Sequence, residues 1–132
     1  MIGLDTNVLV RLFVEDEPKQ TRLAARFIGD HCSPADPGFV DRIALCETVW
    51  VLTSAYDYSR SAVARVVRQL VASADILLED AELVEGALSI YEQGSVDLSD
   101  VLMTQVNLAR GCTTTVTFDR KAARLDGVTL IS

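Results

Sequence analysis

Apolar residues recur along this chain in two rhythms: short continuous runs, and longer stretches in which they return every three or four positions. Continuous runs suit strands buried in a parallel sheet, and the wider spacing suits helices with one buried face. Residues 1–4 read as a short strand, and Thr6 to Val14 as a helix with Val8, Leu9, Leu12 and Phe13 on its apolar side. Pro18 opens a second helix at a position that needs no backbone donor, and that helix runs to about Gly29. Pro34 and Pro37 mark a loop. A short strand is expected near Gly38 to Asp41, followed by a strongly apolar helix from Ile43 to Ala55. Asp57-Tyr58-Ser59 forms a turn, and Ser59 or Ser61 caps the next helix, which carries Val63, Val66, Val67 and Leu70. Ile76-Leu77-Leu78 reads as a buried strand, Ala81 to Gln93 as a helix ending at Gly94, and Leu98 to Arg110 as a helix ending at Gly111. A strand over 113–118, a helix over 120–125 and a strand over 128–131 complete the pattern. Strands alternating with helices predict an α/β fold, a parallel sheet with helices on both faces. No linker, repeat or low-complexity tract interrupts the alternation, so residues 1–132 are expected to form one domain.

Two of the strands run from apolar residues into an acid: Met1-Ile2-Gly3-Leu4-Asp5 and Thr115-Val116-Thr117-Phe118-Asp119. Open α/β folds place their chemistry where strands end and helices begin. Strands of one parallel sheet would bring these two carboxylates to the same edge. Either acid alone has a plain structural use, since an aspartate between strand and helix often caps the helix.

Further acids stand where the pattern does not ask for them. Glu47 interrupts Ile43-Ala44-Leu45-Cys46-Glu47-Thr48-Val49-Trp50-Val51-Leu52, and its helical neighbours Ile43, Ala44, Trp50 and Val51 are all apolar. A buried carboxylate there needs a cation or hydrogen bonds, whether from an arginine such as Arg11 or Arg42 or from a metal. Asp97 and Asp100 open another helix; capping explains Asp97 best, whereas Asp100 lies further in, on a polar stripe with Thr104 and Asn107.

Composition then removes alternatives. The net charge of −7 disfavours nucleic acid at long range, but a divalent-metal site gathering four of the carboxylates would leave little excess elsewhere. Lys19 and Lys121 are the only lysines, so the cations are mostly arginine, the better phosphate fork. The three cysteines, Cys32, Cys46 and Cys112, show no paired spacing and are expected to be buried, reduced thiols of a cytoplasmic chain. Asp5, Arg11, Glu15 and Asp16 break the apolar start, which is not the pattern of a secretory leader, and no stretch suits a membrane. His31 is the only histidine and reads as a surface residue; a two-histidine acid–base mechanism is excluded. Zinc-type cysteine spacing, glycine-rich phosphate loops and a nucleophile elbow are missing. Carboxylates without soft ligands favour Mg²⁺ or Mn²⁺, ions that typically serve phosphoryl chemistry.

Asp5-Thr6-Asn7-Val8-Leu9, the helical Glu47, Asp97-Leu98-Ser99-Asp100-Val101-Leu102 and Thr117-Phe118-Asp119-Arg120-Lys121, in that order, resemble a PIN domain over the whole chain. More narrowly, they resemble the VapC-type toxins of bacterial type II toxin–antitoxin pairs. The resemblance implies a parallel sheet in the order 3-2-1-4-5 with the acids at its carboxyl edge. Asp5, Glu47, Asp100 and Asp119 match the four acidic sites, Asp97 an additional acid, and Thr6, Asn7 and Thr117 the polar residues that support them. It further implies a Mg²⁺- or Mn²⁺-dependent endoribonuclease, a homodimer, silenced by a cognate antitoxin. Hydrolysis of an RNA phosphodiester by in-line attack of water would leave a 5′ phosphate. Arg11, Arg120 and Lys121 lie close enough in sequence to these acids to be candidates for phosphate contact.

Two other functions are compatible with parts of the pattern. A phosphotransfer domain would phosphorylate an aspartate at a strand end, but Asp5-Thr6-Asn7 lacks the second aspartate two residues on, and Glu15-Asp16-Glu17 falls past the first helix. A non-catalytic PIN-like module would bind a partner or RNA without cleaving it.

Overall fold

Each short apolar run becomes a strand and each periodic stretch a helix, so the computed structural model, which describes residues 1–132, follows the expected alternation closely. The strands are β1 (Ile2–Gly3), β2 (Gly38–Val40), β3 (Ile76–Leu78), β4 (Thr115–Thr117) and β5 (Val128–Leu130). The helices are α1 (Thr6–Phe13), α2 (Pro18–His31), α3 (Arg42–Ala55), α4 (Arg60–Ala72), α5 (Ala81–Gln93) and α6 (Leu98–Ala109). The expected helix over 120–125 is only a 3₁₀ turn at Ala122–Arg124. Three residues are too few to form successive α-helical hydrogen bonds before Gly127 adopts a positive φ of 85°.

The chain divides into two compact units, Met1–Ala81 and Glu82–Ser132. The first contains a parallel three-stranded sheet in the order 3-2-1, and the second a parallel pair, β4 beside β5. Both parts of the expected order are therefore present, as two sheets. In the first sheet Ile2 faces Gly38 and Gly38 faces Ile76, and the ladder continues past the strand ends through Leu4 N–H to Phe39 O at 2.8 Å and Glu79 N–H to Val40 O at 2.8 Å. Gly38 is needed here for closeness: a Cβ on it would lie 2.8 Å from Leu4 Cδ1 and 3.2 Å from Cys32 Sγ.

Burial in the first unit follows the helical stripes. Leu9 and Val10 of α1, Leu45, Val49 and Leu52 of α3, and Val63, Val67 and Leu70 of α4 are all buried, as is Val40 of β2. On α1 the deeply buried side is Thr6, Leu9 and Val10, while Val8, Leu12 and Phe13 are only half-buried. The rotation matters, because it turns Thr6 inward. Asp41 caps α3 by accepting from Ala44 N–H at 2.7 Å, and Ser59, of the two serines considered, caps α4 by accepting from Ala62 N–H at 3.2 Å. Replacing that serine in Ser59→Ala is expected to cost about 1 kcal/mol of stability, measurable by urea unfolding.

In the second unit Val84, Leu88 and Tyr91 of α5 and Leu98, Val101 and Leu102 of α6 are buried. The end of α6 is a Schellman motif: Gly111 N–H donates to Leu108 O at 3.1 Å and Cys112 N–H to Asn107 O at 2.9 Å, with Gly111 at φ +98°. Asn107 Nδ2 donates to Thr115 Oγ1 at 2.9 Å, fixing the end of α6 to the strand that leads to Asp119. The cysteines differ from expectation. Cys32 is buried, but Cys46 is half-buried and Cys112 is exposed, because it lies just beyond the helix stop. Burial pushes the Cys46 thiol up, which keeps it protonated and inert. No helix is long and apolar enough to cross a membrane.

Candidate functional site

Asp5 ends β1 and stands at the N-cap of α1, where its Oδ1 accepts from Thr6 N–H at 2.8 Å. Thr6 faces inward, and its hydroxyl donates to Glu47 Oε2 on α3 at 2.9 Å. A β1-end aspartate and a mid-helix glutamate, far apart in sequence, are thereby held through adjacent residues of one turn. α1 and α3 pack directly against each other, which makes this link possible.

Glu47 overturns the premise on which it was singled out. It is exposed, not buried, and so are its neighbours Ile43, at 71% exposure, and Trp50, at 69%. The apolar composition of α3 hides two faces: Ala44, Leu45, Thr48, Val49 and Leu52 point inward, and Ile43, Glu47 and Trp50 share the outer one. Neither candidate arginine pairs with it. Arg11 Nη1 is paired with Asp16, and Arg42 bridges Glu79 at 3.3 Å and Asp80 at 3.6 Å. Glu47 thus keeps its charge accessible, with a neutral hydroxyl to orient it.

The acids of the second unit form their own group. Asp97 occupies the N-cap position of α6, yet its side chain makes no capping hydrogen bond, contrary to the structural role expected for it. Asp100, in the first turn, is partly buried, and its carboxyl is pushed above the ordinary carboxylate range, first by burial and then by the charges of Asp97 and Asp119. Asp119 is exposed and caps the turn after β4, its Oδ1 accepting from Lys121 N–H at 2.8 Å and Ala122 N–H at 3.3 Å. Thr117 Oγ1 accepts from Asp119 N–H at 3.0 Å, so it fixes the backbone of Asp119 and not its carboxylate. Thr104 and Asn107, the rest of the stripe, are engaged with Asp100 O at 2.9 Å and with Thr115.

The remaining candidates sort by exposure. Arg120 and Lys121 are exposed beside Asp119. Arg11 is turned toward Asp16 and, with Asn7, lines a groove of about 620 Å³ between α1 and α2, whose apolar walls are Leu4, Val8, Leu23 and Phe27. His31 is at the surface as expected, its ring 4.4 Å from that of Phe27.

Chemically, the donor set is all oxygen. Burial, and after it the charges of Asp97 and Asp119, oppose the ionisation of Asp100; a divalent cation would favour the ionised form, and such ions prefer carboxylate oxygen. No three acidic, histidine or cysteine side chains lie together as a set of metal ligands. The donor chemistry fits a hard divalent ion. Thr6→Val keeps the shape of the side chain while removing the donor to Glu47, and is expected to cost about 1 kcal/mol of stability, measurable by urea unfolding.

The sequence profile of the PIN domain matches residues 2–128. No curated protein matches the chain.

Proposed function

The chain belongs to the PIN domain family, whose members are generally nucleases, and from that premise we propose that it is a Mg²⁺- or Mn²⁺-dependent endoribonuclease, the VapC-type toxin of a type II toxin–antitoxin pair. In this reading Asp5, Glu47, Asp100 and Asp119 are the metal-holding acids, with Asp97 as a further acid. The observation that supports it, beside the family match, is that Asp100 is partly buried near the charges of Asp97 and Asp119, which oppose its ionisation.

A divalent ion there supplies activation of water and stabilisation of the leaving oxygen of a phosphodiester. The chain's own residues do the rest. Thr6 holds the Glu47 carboxylate in one orientation, and Thr117 fixes the turn that presents Asp119. Arg120 and Lys121, exposed beside Asp119, offset the acidic charge where the RNA backbone would approach. Arg11, already paired with Asp16, is better suited to the groove between α1 and α2 than to phosphate.

That groove supports the second half of the proposal. An open channel with apolar walls and a few polar groups suits an amphipathic helix, the usual form of a docked regulatory segment. The antitoxin would occupy it. Expression in a bacterial host with and without the antitoxin tests the toxin reading: growth arrest relieved by the antitoxin supports it, and normal growth with active, folded protein refutes it.

A further inference from the structure

Phe118 is the most exposed large apolar side chain of the chain, at 78%, and its neighbour two residues back, Val116, is exposed at 58%. Burying an aromatic ring is strongly favourable, so one left in water directly before a proposed site acid calls for a partner. Its backbone surroundings are fixed. Thr117 Oγ1 accepts from Asp119 N–H at 3.0 Å, and Asp119 in turn accepts from Lys121 and Ala122 N–H, so the residues on either side of Phe118 are pinned while its ring projects into solvent. The flanking side chains Asp119, Arg120 and Lys121 are exposed and charged.

We infer that Phe118 is a stacking platform for a nucleobase of single-stranded RNA, next to the phosphate being cut. The inference rests on the endoribonuclease reading. An aromatic face accepts any base, and cations beside it meet the backbone, which is the usual construction of single-strand binding surfaces. Phe118 immediately precedes Asp119, so a nucleotide held on the ring lies near the turn that presents that carboxylate. Phe118 holds the substrate and takes no part in proton transfer.

The test uses the full chain, Mn²⁺ and a single-stranded oligoribonucleotide, with abasic positions walked across the cleavage point. Phe118→Ala is expected to raise KM by roughly five- to hundredfold, the size of one base–aromatic stack, with kcat little changed. Phe118→Trp should restore KM, and Phe118→Leu should not. The wild type should lose affinity at one abasic position, to which Phe118→Ala is indifferent. Phe118→Leu matching the wild type, or no abasic position distinguishing the two proteins, would overturn stacking and make the ring an ordinary apolar contact. A wild type that neither binds nor cuts RNA would instead overturn the functional reading beneath it.

Discussion

Asp100→Asn is expected to abolish divalent-metal-dependent cleavage of RNA while making the metal-free protein more heat-stable at neutral pH. The first effect follows from the proposed role: losing one carboxylate from the metal removes several kcal/mol of transition-state stabilisation, a loss in rate of about a thousandfold or more. The second follows from the electrostatics. Burial, Asp97 and Asp119 raise the Asp100 carboxyl above its unfolded value, so the folded chain holds that proton more tightly than the unfolded chain does. The stability this contributes is full in acid, below the unfolded carboxylate pKa of about 4, and is lost as pH rises through the folded value. At pH 7 the ionised Asp100 is a burden that asparagine removes. Thermal melts of wild type and variant in chelator should differ at pH 7 and converge near pH 3, and Mn²⁺ should raise the wild-type melting temperature far more than the variant's. A variant that melts below the wild type at neutral pH would contradict the electrostatic account.

Leu52→Ala is expected to cost about 2–5 kcal/mol, the range for deleting a fully buried leucine. Leu52 is wholly buried on the inner side of α3, the helix whose outer side carries Glu47. With total stability on the order of 5–15 kcal/mol, one such cavity takes away a large part of it. Activity at low temperature should survive, because Thr6 and Glu47 are untouched, and fail on mild heating. Urea unfolding measures the stability loss, and RNA cleavage over the same temperatures checks that the site fails with the fold and not before it.

These effects divide along the line between what periodicity carries and what it does not. Helix positions were legible because stripes such as Val63, Val66, Val67 and Leu70 record burial directly, and Gly94 and Gly111 record where helices stop; Ile76-Leu77-Leu78 is a strand as expected, but only Leu78 of it is buried and Leu77 is exposed. The short 3₁₀ turn was not legible, since Arg120 to Leu125 has helix-compatible residues but too little length. Glu47 shows the limit best. Its neighbours predict an apolar surrounding, yet Ile43 and Trp50 lie in solvent with it, because apolar residues on a helix do not reveal which of them find a partner. What the structure adds at Glu47 is the Thr6 hydroxyl, a tertiary contact invisible in either segment alone. Capping was similarly ambiguous: Asp5 and Asp119 do cap their turns, and Asp97, the acid best suited to capping by sequence, does not. Phe118 reads in sequence as the last apolar residue of a strand. Only its exposure, on a strand of three residues that ends before it, marks it as available to a ligand.

The central claim is that the proposed site acids, Glu47 among them, serve metal-dependent RNA hydrolysis. The rate of RNA cleavage as a function of Mn²⁺ concentration, in wild type and Glu47→Gln, tests it most directly. Glu47 is exposed on α3 and oriented by the Thr6 hydroxyl, so its substitution leaves the buried core intact. The account predicts a wild-type rate that saturates with Mn²⁺, and a variant that needs at least about tenfold more Mn²⁺ or fails to saturate. A wild type indifferent to Mn²⁺, or a variant with an unchanged saturation curve, would contradict it.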